Sequence, residues 1–217
     1  MNEREWLISN NPVRMLVCRP TYLSERKRRL FACGCCRRIR YLLTDHASRA
    51  LACAEKYADG GSTVDALHIA RSPVGLPKAP ARKAAVRAVR EAANTSWYPD
   101  FASRAAEFAA QACVESDDTN RGLDRAMNVA QEAQADLLRD IFGNPFRPVA
   151  FEPAWRTETV VGIAQGIYDD RAFERMPILA DALQEAGCEH PDILTHCREP
   201  GEHVRGCWVV DLVLGKE

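Results

Sequence analysis

The spacing of apolar residues limits the folds open to this chain more than any other feature. Along most of its 217 residues, apolar side chains recur every three or four positions. That period places them on one face of an α-helix, and strand-like alternation is nearly absent. The sequence therefore predicts an all-α fold. We expect a compact multi-helix domain over 1–217 with about nine or ten helices.

Helix start and stop signals place these elements along the chain. Ser24, Thr63 and Thr157 are predicted N-caps, because their side-chain oxygens can accept hydrogen bonds from the first turn of a helix. Glycines and prolines end several helices. The predicted helices cover 24–43, 47–58, 63–70, 81–94, 100–114, a long one capped within 117–119 and ending near 142, 157–168, 178–186, 191–197 and 204–214.

Residues 144–155 are rich in proline but also carry apolar and aromatic side chains. Proline stops helices, and a loop with large apolar side chains usually packs onto a core. The sequence therefore predicts one proline-rich packed loop over 144–155.

The net charge of −1 conceals an uneven distribution. Residues 1–108 carry 19 basic and 10 acidic side chains, whereas 109–217 carry 10 basic and 20 acidic ones. Such a split is typical of a basic face for an anionic partner, or of two oppositely charged halves packed together. A subdivision into a basic half, 1–115, and an acidic half, 116–217, is therefore conceivable within the single domain.

The number of cysteines and the character of the first residues indicate the cellular compartment in which the protein is expected. No apolar run approaches the length of a membrane span, and the polar start predicts no secretory signal, so we expect a cytoplasmic protein that binds no membrane. Nine cysteines are a high count for a cytoplasmic protein, and their odd number argues against a fully paired disulfide framework. They are either small buried core residues or ligands and redox groups.

The densest group of metal-ligating side chains lies near the C-terminus and comprises Cys188, His196, Cys197, His203 and Cys207. Thiolate and imidazole are the ligands that zinc prefers. His196 and Cys197 are adjacent and diverge on a helix, so only one of them should join a site. The predicted zinc ligands are Cys188, Cys197, His203 and Cys207. The alternative is that these cysteines are core residues.

Cys33, Cys35 and Cys36 form a second thiol cluster. Helical periodicity puts Cys35 on the apolar stripe with Phe31 and Ile39, which favours core packing through small residues. A metal site shared with the C-terminal cysteines is the alternative.

The helix over 24–43 also carries a basic stripe, formed by Arg26, Arg29, Arg37 and Arg40. Such stripes bind phosphate backbones, so a nucleic-acid interface is one interpretation. No nucleic-acid motif accompanies the stripe. A solvated helix face, or a partner surface for the acidic half, is the favoured interpretation.

No catalytic motif is evident: there is no phosphate-binding glycine loop, nucleophile elbow or metalloprotease signature. Cys197, His203 and Cys207 could serve a metal- or cysteine-dependent enzyme. The favoured hypothesis is a non-enzymatic helical interaction module, binding another protein or itself, with a structural zinc near the C-terminus.

Several longer segments resemble a known group of proteins. They read RRLFAC at 28–33, CCRRI at 35–39, LLRDIFGNPFRP at 137–148, IYDDRAF at 167–173 and HVRGCWVVD at 203–211. These are similar to segments of a paralogous helical family abundant in planctomycete bacteria, over roughly 24–60 and 136–217. The resemblance implies a bacterial cytoplasmic origin and a shared fold, and it implies no activity.

Overall fold

The fold is built from α-helices joined by short turns. The computed structural model describes residues 1–18, 24–72, 76–95, 100–116 and 122–216, and these ranges contain no strand. The prediction of an all-α fold is therefore confirmed. The described ranges hold twelve α-helices, ten of them with seven or more residues, so the count exceeds the predicted nine or ten. None of these helices is both long and apolar enough to cross a membrane.

The contacts within the chain define two compact units, Met1–Arg139 and Asp140–Glu217. The first unit contains α1 (Glu3–Ile8), α2 (Pro12–Val17), α3 (Glu25–Arg38), α4 (Asp45–Ala58), α5 (Val64–Arg71), α6 (Pro80–Ala92), α7 (Phe101–Ser116) and most of α8 (Leu123–Phe142). The second unit contains α9 (Glu158–Asp170), α10 (Met176–Glu185), α11 (Pro191–Arg198) and α12 (Trp208–Leu214). The boundary between the units falls inside α8.

The two helices that the sequence analysis missed are the first two. Each has six residues, too few for apolar periodicity to stand out. Both nevertheless carry start signals: Asn2 and Glu5 form a capping box, and Asn11 caps α2 with Pro12 in its first turn. The capping residues therefore mark these helices where the apolar pattern does not.

The predicted N-caps are confirmed. The side-chain oxygens of Ser24, Thr63 and Thr157 each accept a hydrogen bond from the backbone N–H three residues later, at 3.2 to 3.3 Å. Each satisfies one of the backbone donors that a helix start leaves unpaired. The caps predicted within 117–119 lie outside the described residues.

Small side chains build the core of the first unit. The alanine-rich helices α6 and α7 pack against each other, and α3 packs on both. Their buried alanines let the helix backbones approach closely. The thiols of Cys33, Cys35 and Cys36 on α3 are fully buried, which agrees with the prediction that they are core residues.

The second unit has its own hydrophobic core, formed by α9, α10, α11 and α12 together with the segment before α9. Trp155, in a 3-10 turn, is buried in this core, and Val149 and Phe151 pack against it. The proline-rich segment over 144–155 is thus a packed loop, as the sequence predicts.

Gly143 ends α8 in the left-handed conformation, with φ at +61°. A Cβ at this position would lie 3.2 Å from the ring of Trp208. Gly143→Ala should therefore destabilise the protein by about 1–3 kcal/mol through backbone strain and crowding. Denaturant unfolding measures this change.

Gly162 provides the matched control for this prediction. It lies within α9, is exposed, and a Cβ there would have no neighbour within 4 Å. Gly162→Ala should leave stability unchanged or raise it by up to about 1 kcal/mol, since alanine favours helix. Equal effects from the two substitutions would contradict the structural role of Gly143.

Candidate metal centre

Asp140 lies in the last turn of α8, on the same face as the buried Leu137 and Ile141. Its side chain is only 5% exposed. A carboxylate is unfavourable on an apolar face, and also at the C-terminal end of a helix, where the helix dipole is negative. A buried acid in such a position needs a cationic or hydrogen-bonding partner.

The partners come from the last quarter of the chain. His196 lies on α11, while His203 and Cys207 lie in the segment before α12. The sequence analysis expected a helix over 204–214, but α12 begins only at Trp208. Gly206 adopts a φ of +97°, outside the right-handed helical region, and the backbone N–H of Val204 donates instead to Asp140. His203 and Cys207 therefore do not share a helix face.

Four side chains converge at this point: Asp140, His196, His203 and Cys207. One ligand atom from each lies within 4.8 Å of the other three. Asp140 Oδ1 is 2.7 Å from His203 Nδ1 and 3.3 Å from His196 Nε2. Cys207 Sγ is 3.1 Å from His196 Nε2 and 4.0 Å from His203 Nδ1. This arrangement can hold a metal ion, and below we call it the metal cluster.

In each of the two imidazole rings, a single nitrogen faces both the carboxylate of Asp140 and the thiol of Cys207. His196 Nε2 approaches Asp140 Oδ1 and Cys207 Sγ, and His203 Nδ1 approaches the same two atoms. In a proton relay of the Cys–His–Asp type, by contrast, the two nitrogens of one ring face different partners. Convergence of four atoms is the arrangement that a single central cation requires.

The spacings in the metal cluster are compatible with tetrahedral coordination after small movements of the side chains. With the usual zinc bond lengths, nitrogen and oxygen ligands would lie about 3.3 Å apart, and sulfur about 3.6 Å from either. The measured nitrogen–oxygen distances are 2.7 and 3.3 Å, and the sulfur–nitrogen distances are 3.1 and 4.0 Å. All four atoms lie within 4.8 Å of one another, so shifts of up to about 1 Å would bring them to tetrahedral spacing around one ion.

The electrostatics of the metal cluster also favour a cation. Burial alone would raise the pKa of the Asp140 carboxyl, but hydrogen bonds to His196 and His203 and the charge of these rings outweigh it, and the pKa is lowered. Burial, and then the charge of Asp140, raise the pKa of the Cys207 thiol well above its usual range. A bound divalent cation would reverse this effect on the thiol, because coordination deprotonates it.

Neighbouring groups hold two of the ligands in position. The second carboxylate oxygen of Asp140, Oδ2, accepts a hydrogen bond of 2.9 Å from the backbone N–H of Val204, next to His203. The ring of Trp208 packs on that of His196, with centroids 5.2 Å apart. Such second contacts orient ligands toward a metal.

Of the four ligands predicted from the sequence, His203 and Cys207 belong to the metal cluster. Cys188 and Cys197 are buried in the hydrophobic core of the same unit. Of the adjacent pair His196 and Cys197, only the histidine joins. Burial raises the pKa of the Cys197 thiol to about 12, so this thiol is protonated at neutral pH and a poor nucleophile.

Asp140 was not predicted as a ligand, although the sequence carries a signal for it. Leu137, Leu138 and Ile141 define the apolar face of α8, and an acid three residues after Leu137 falls on that face. His196 was recognised as a candidate but left out of the predicted set. Whether His196 or Cys197 reaches the metal cluster depends on how α11 is rotated against the core. Periodicity alone does not determine this rotation.

The predicted basic stripe is largely engaged within the first unit. Arg29 is 1% exposed, and Arg26 is paired with Asp59 at 3.0 Å. Arg37 donates to the buried Glu55 at 2.6 Å, and Arg40 is exposed. Three of the four arginines thus form internal contacts, and the stripe does not lie on the surface as one continuous phosphate-binding face.

Comparison with known proteins provides no further assignment. No family model, no curated protein and no solved structure matches this chain. The geometry of the metal cluster is therefore the main indication of function.

Proposed function

We propose that this protein is a non-enzymatic helical module whose second unit is held together by one divalent metal ion. Asp140, His196, His203 and Cys207 are its ligands. The observation that carries the proposal is the convergence of four ligand atoms of three chemical types within 4.8 Å. Two nitrogens, one sulfur and one oxygen in near-tetrahedral spacing suit Zn²⁺ best among common divalent ions.

The completeness of the ligand set supports a structural role for the metal. Structural zinc sites use four protein ligands, whereas catalytic ones keep a position open for water or substrate. Asp140 and Cys207 are buried, and the side chains of His196 and His203 are 17% and 9% exposed. The ion would join the end of α8 to α11 and to the segment before α12, both of which lie in the last quarter of the chain.

A cysteine- or metal-dependent enzyme has less support. Its proposed nucleophile, Cys197, is buried with a raised pKa, and Cys207 is buried beside a carboxylate. The nucleic-acid alternative is weakened by the burial of Arg29. An interaction with another protein, or with a second copy of this chain, is the remaining part of the proposal. Leu7 and Ile8 on α1 present exposed apolar side chains that such a partner could cover.

Metal content tests the metal site directly. Protein purified without an affinity-metal step should contain about one zinc ion per chain by elemental mass spectrometry. Exchange with Co²⁺ should produce visible absorption bands of a tetrahedral site with a thiolate ligand. Cys207→Ser and His203→Ala should each lower the bound metal by about tenfold or more and abolish the thiolate band or change it.

Cys197→Ala is the matched control for Cys207→Ser. Cys197 is equally buried and lies in the same hydrophobic core, but it is not in the metal cluster. This variant should retain the full metal content. If Cys197→Ala loses the metal as Cys207→Ser does, the ligand set predicted from the sequence would be favoured and the proposed set would be wrong. A metal-free wild-type protein that does not take up Zn²⁺ or Co²⁺ would overturn the proposal.

A further inference from the structure

A cavity in the first unit has a different chemistry from the metal cluster. It lies between α4, α5 and α6 and has a volume of about 130 Å³. Ala47 and Ala50 from α4 and Val86 and Val89 from α6 form its walls. The small alanine side chains create this space. Its volume is close to that of engineered cavities of about 150 Å³ that bind benzene.

Two arginines, Arg71 at the end of α5 and Arg90 on α6, also line this apolar cavity. Both are half-buried, and so is His46 beside them. None of the described residues that line the cavity is acidic. The cavity therefore combines apolar walls with an excess of positive charge, and low-dielectric walls strengthen the field of that charge.

The side chain of Arg71 provides further support for an anionic ligand in this cavity. Its Nε is buried and has no hydrogen-bond partner among the described residues. A buried donor without an acceptor costs free energy, which an incoming acceptor would recover. A guanidinium group pairs most strongly with carboxylate and other planar oxyanions, through two parallel hydrogen bonds.

From these features we infer that the cavity binds an organic carboxylate whose apolar part is about the size of a benzene ring. The apolar part occupies the space between Ala47, Ala50 and Val89, and the carboxylate pairs with Arg71 and Arg90. Free organic acids and the carboxyl terminus of a polypeptide ending in an apolar residue share this chemistry. The cavity lies in the first unit, so this inference is independent of the proposed metal site.

Titration calorimetry with benzoate tests the inference on the full-length protein. The affinity for benzoate should be at least about tenfold higher than that for benzyl alcohol, its neutral analogue, because only the acid pairs with guanidinium. Acetate has the same carboxylate without the ring, and its affinity should be at least about tenfold lower than that of benzoate.

N-acetylphenylalanine mimics a polypeptide chain that ends in an apolar residue. If it binds more tightly than benzoate, the ligand is a polypeptide end, and the reverse order indicates a free acid.

Variants separate the charge of the cavity from its volume. Arg71→Gln should weaken benzoate binding by about tenfold, and Ala50→Leu should abolish it by filling the space. The control is Arg125→Gln, since Arg125 is exposed and lines a separate cavity of the first unit, of about 360 Å³. This change should leave benzoate binding unaltered.

Thermal melts confirm that each variant is folded, and Arg71→Gln suffices as a test if Ala50→Leu does not fold. Failure of wild-type protein to bind benzoate at millimolar concentrations would overturn the inference. Equal affinity for benzoate and benzyl alcohol, or an unchanged affinity in Arg71→Gln, would also overturn it.

Discussion

Removing the metal with a chelator should lower the melting temperature of the wild-type protein by roughly 10 °C. An ion that binds only the folded state stabilises it by about 4 kcal/mol when its free concentration is about a thousand times its Kd. For a chain of this size, each kcal/mol shifts the melting temperature by roughly 2–4 °C. The effect is large because the ion would join four buried or half-buried side chains, and its loss would leave Asp140 and Cys207 buried without it.

Differential scanning calorimetry with and without EDTA measures this shift. In Cys207→Ser the chelator should have no effect, because the metal is already lost. Cys188→Ala removes another buried thiol of the second unit and should keep the response to the chelator. If wild-type protein contains stoichiometric metal but melts at the same temperature with EDTA, the metal is bound but not structural. That outcome would leave the ligand assignment intact and refute only the structural role.

The second large effect is expected at Arg29, whose side chain is buried in the first unit. Its guanidinium donates to the backbone carbonyls of Ala92 and Asn94 at 2.9 and 2.8 Å, and to Glu25 at 2.8 Å. Arg29→Met keeps the apolar stem but leaves both carbonyls without this donor. Because the charged partner Glu25 is exposed, the main cost is that of the two carbonyls, and we expect a loss of about 2–4 kcal/mol of unfolding free energy.

Contacts with two aromatic rings should add to the loss of unfolding free energy when Arg29 is replaced. Its guanidinium carbon lies 4.9 Å from the ring centroid of Tyr57 and 4.8 Å from that of Phe101, within the range of cation–π attraction. Arg29→Lys keeps the charge but loses the planar set of donors, so its effect should be intermediate.

Urea denaturation of the Arg29 variants measures these changes, with Arg40→Met as the matched control. Arg40 belongs to the same predicted stripe but is exposed, so its replacement should change stability by no more than about 0.5 kcal/mol. If Arg29→Met and Arg40→Met have the same small effect, Arg29 does not stabilise the first unit as described.

Local signals were sufficient to predict most of the helices. A cap such as Ser24 or Thr157 bonds to its own first turn, so its effect depends on neighbours within three residues. Apolar periodicity is local in the same sense. The last helix was placed too early, because Gly206 adopts a φ of +97° and breaks the helix, in a segment whose Val204 N–H donates to Asp140, 64 residues away in sequence. The six-residue helices α1 and α2 were missed because their apolar pattern is too short.

The sequence by itself determined the helical class, most helix starts and the packed loop at 144–155, since each depends on neighbouring residues or on their period. It also indicated that the C-terminal cysteines and histidines could bind a metal. Only the tertiary structure decided which side chains meet. It brought Asp140 to His196, His203 and Cys207, and it buried Arg29 instead of exposing it. Such contacts depend on the rotation and packing of helices distant in sequence, which periodicity does not determine.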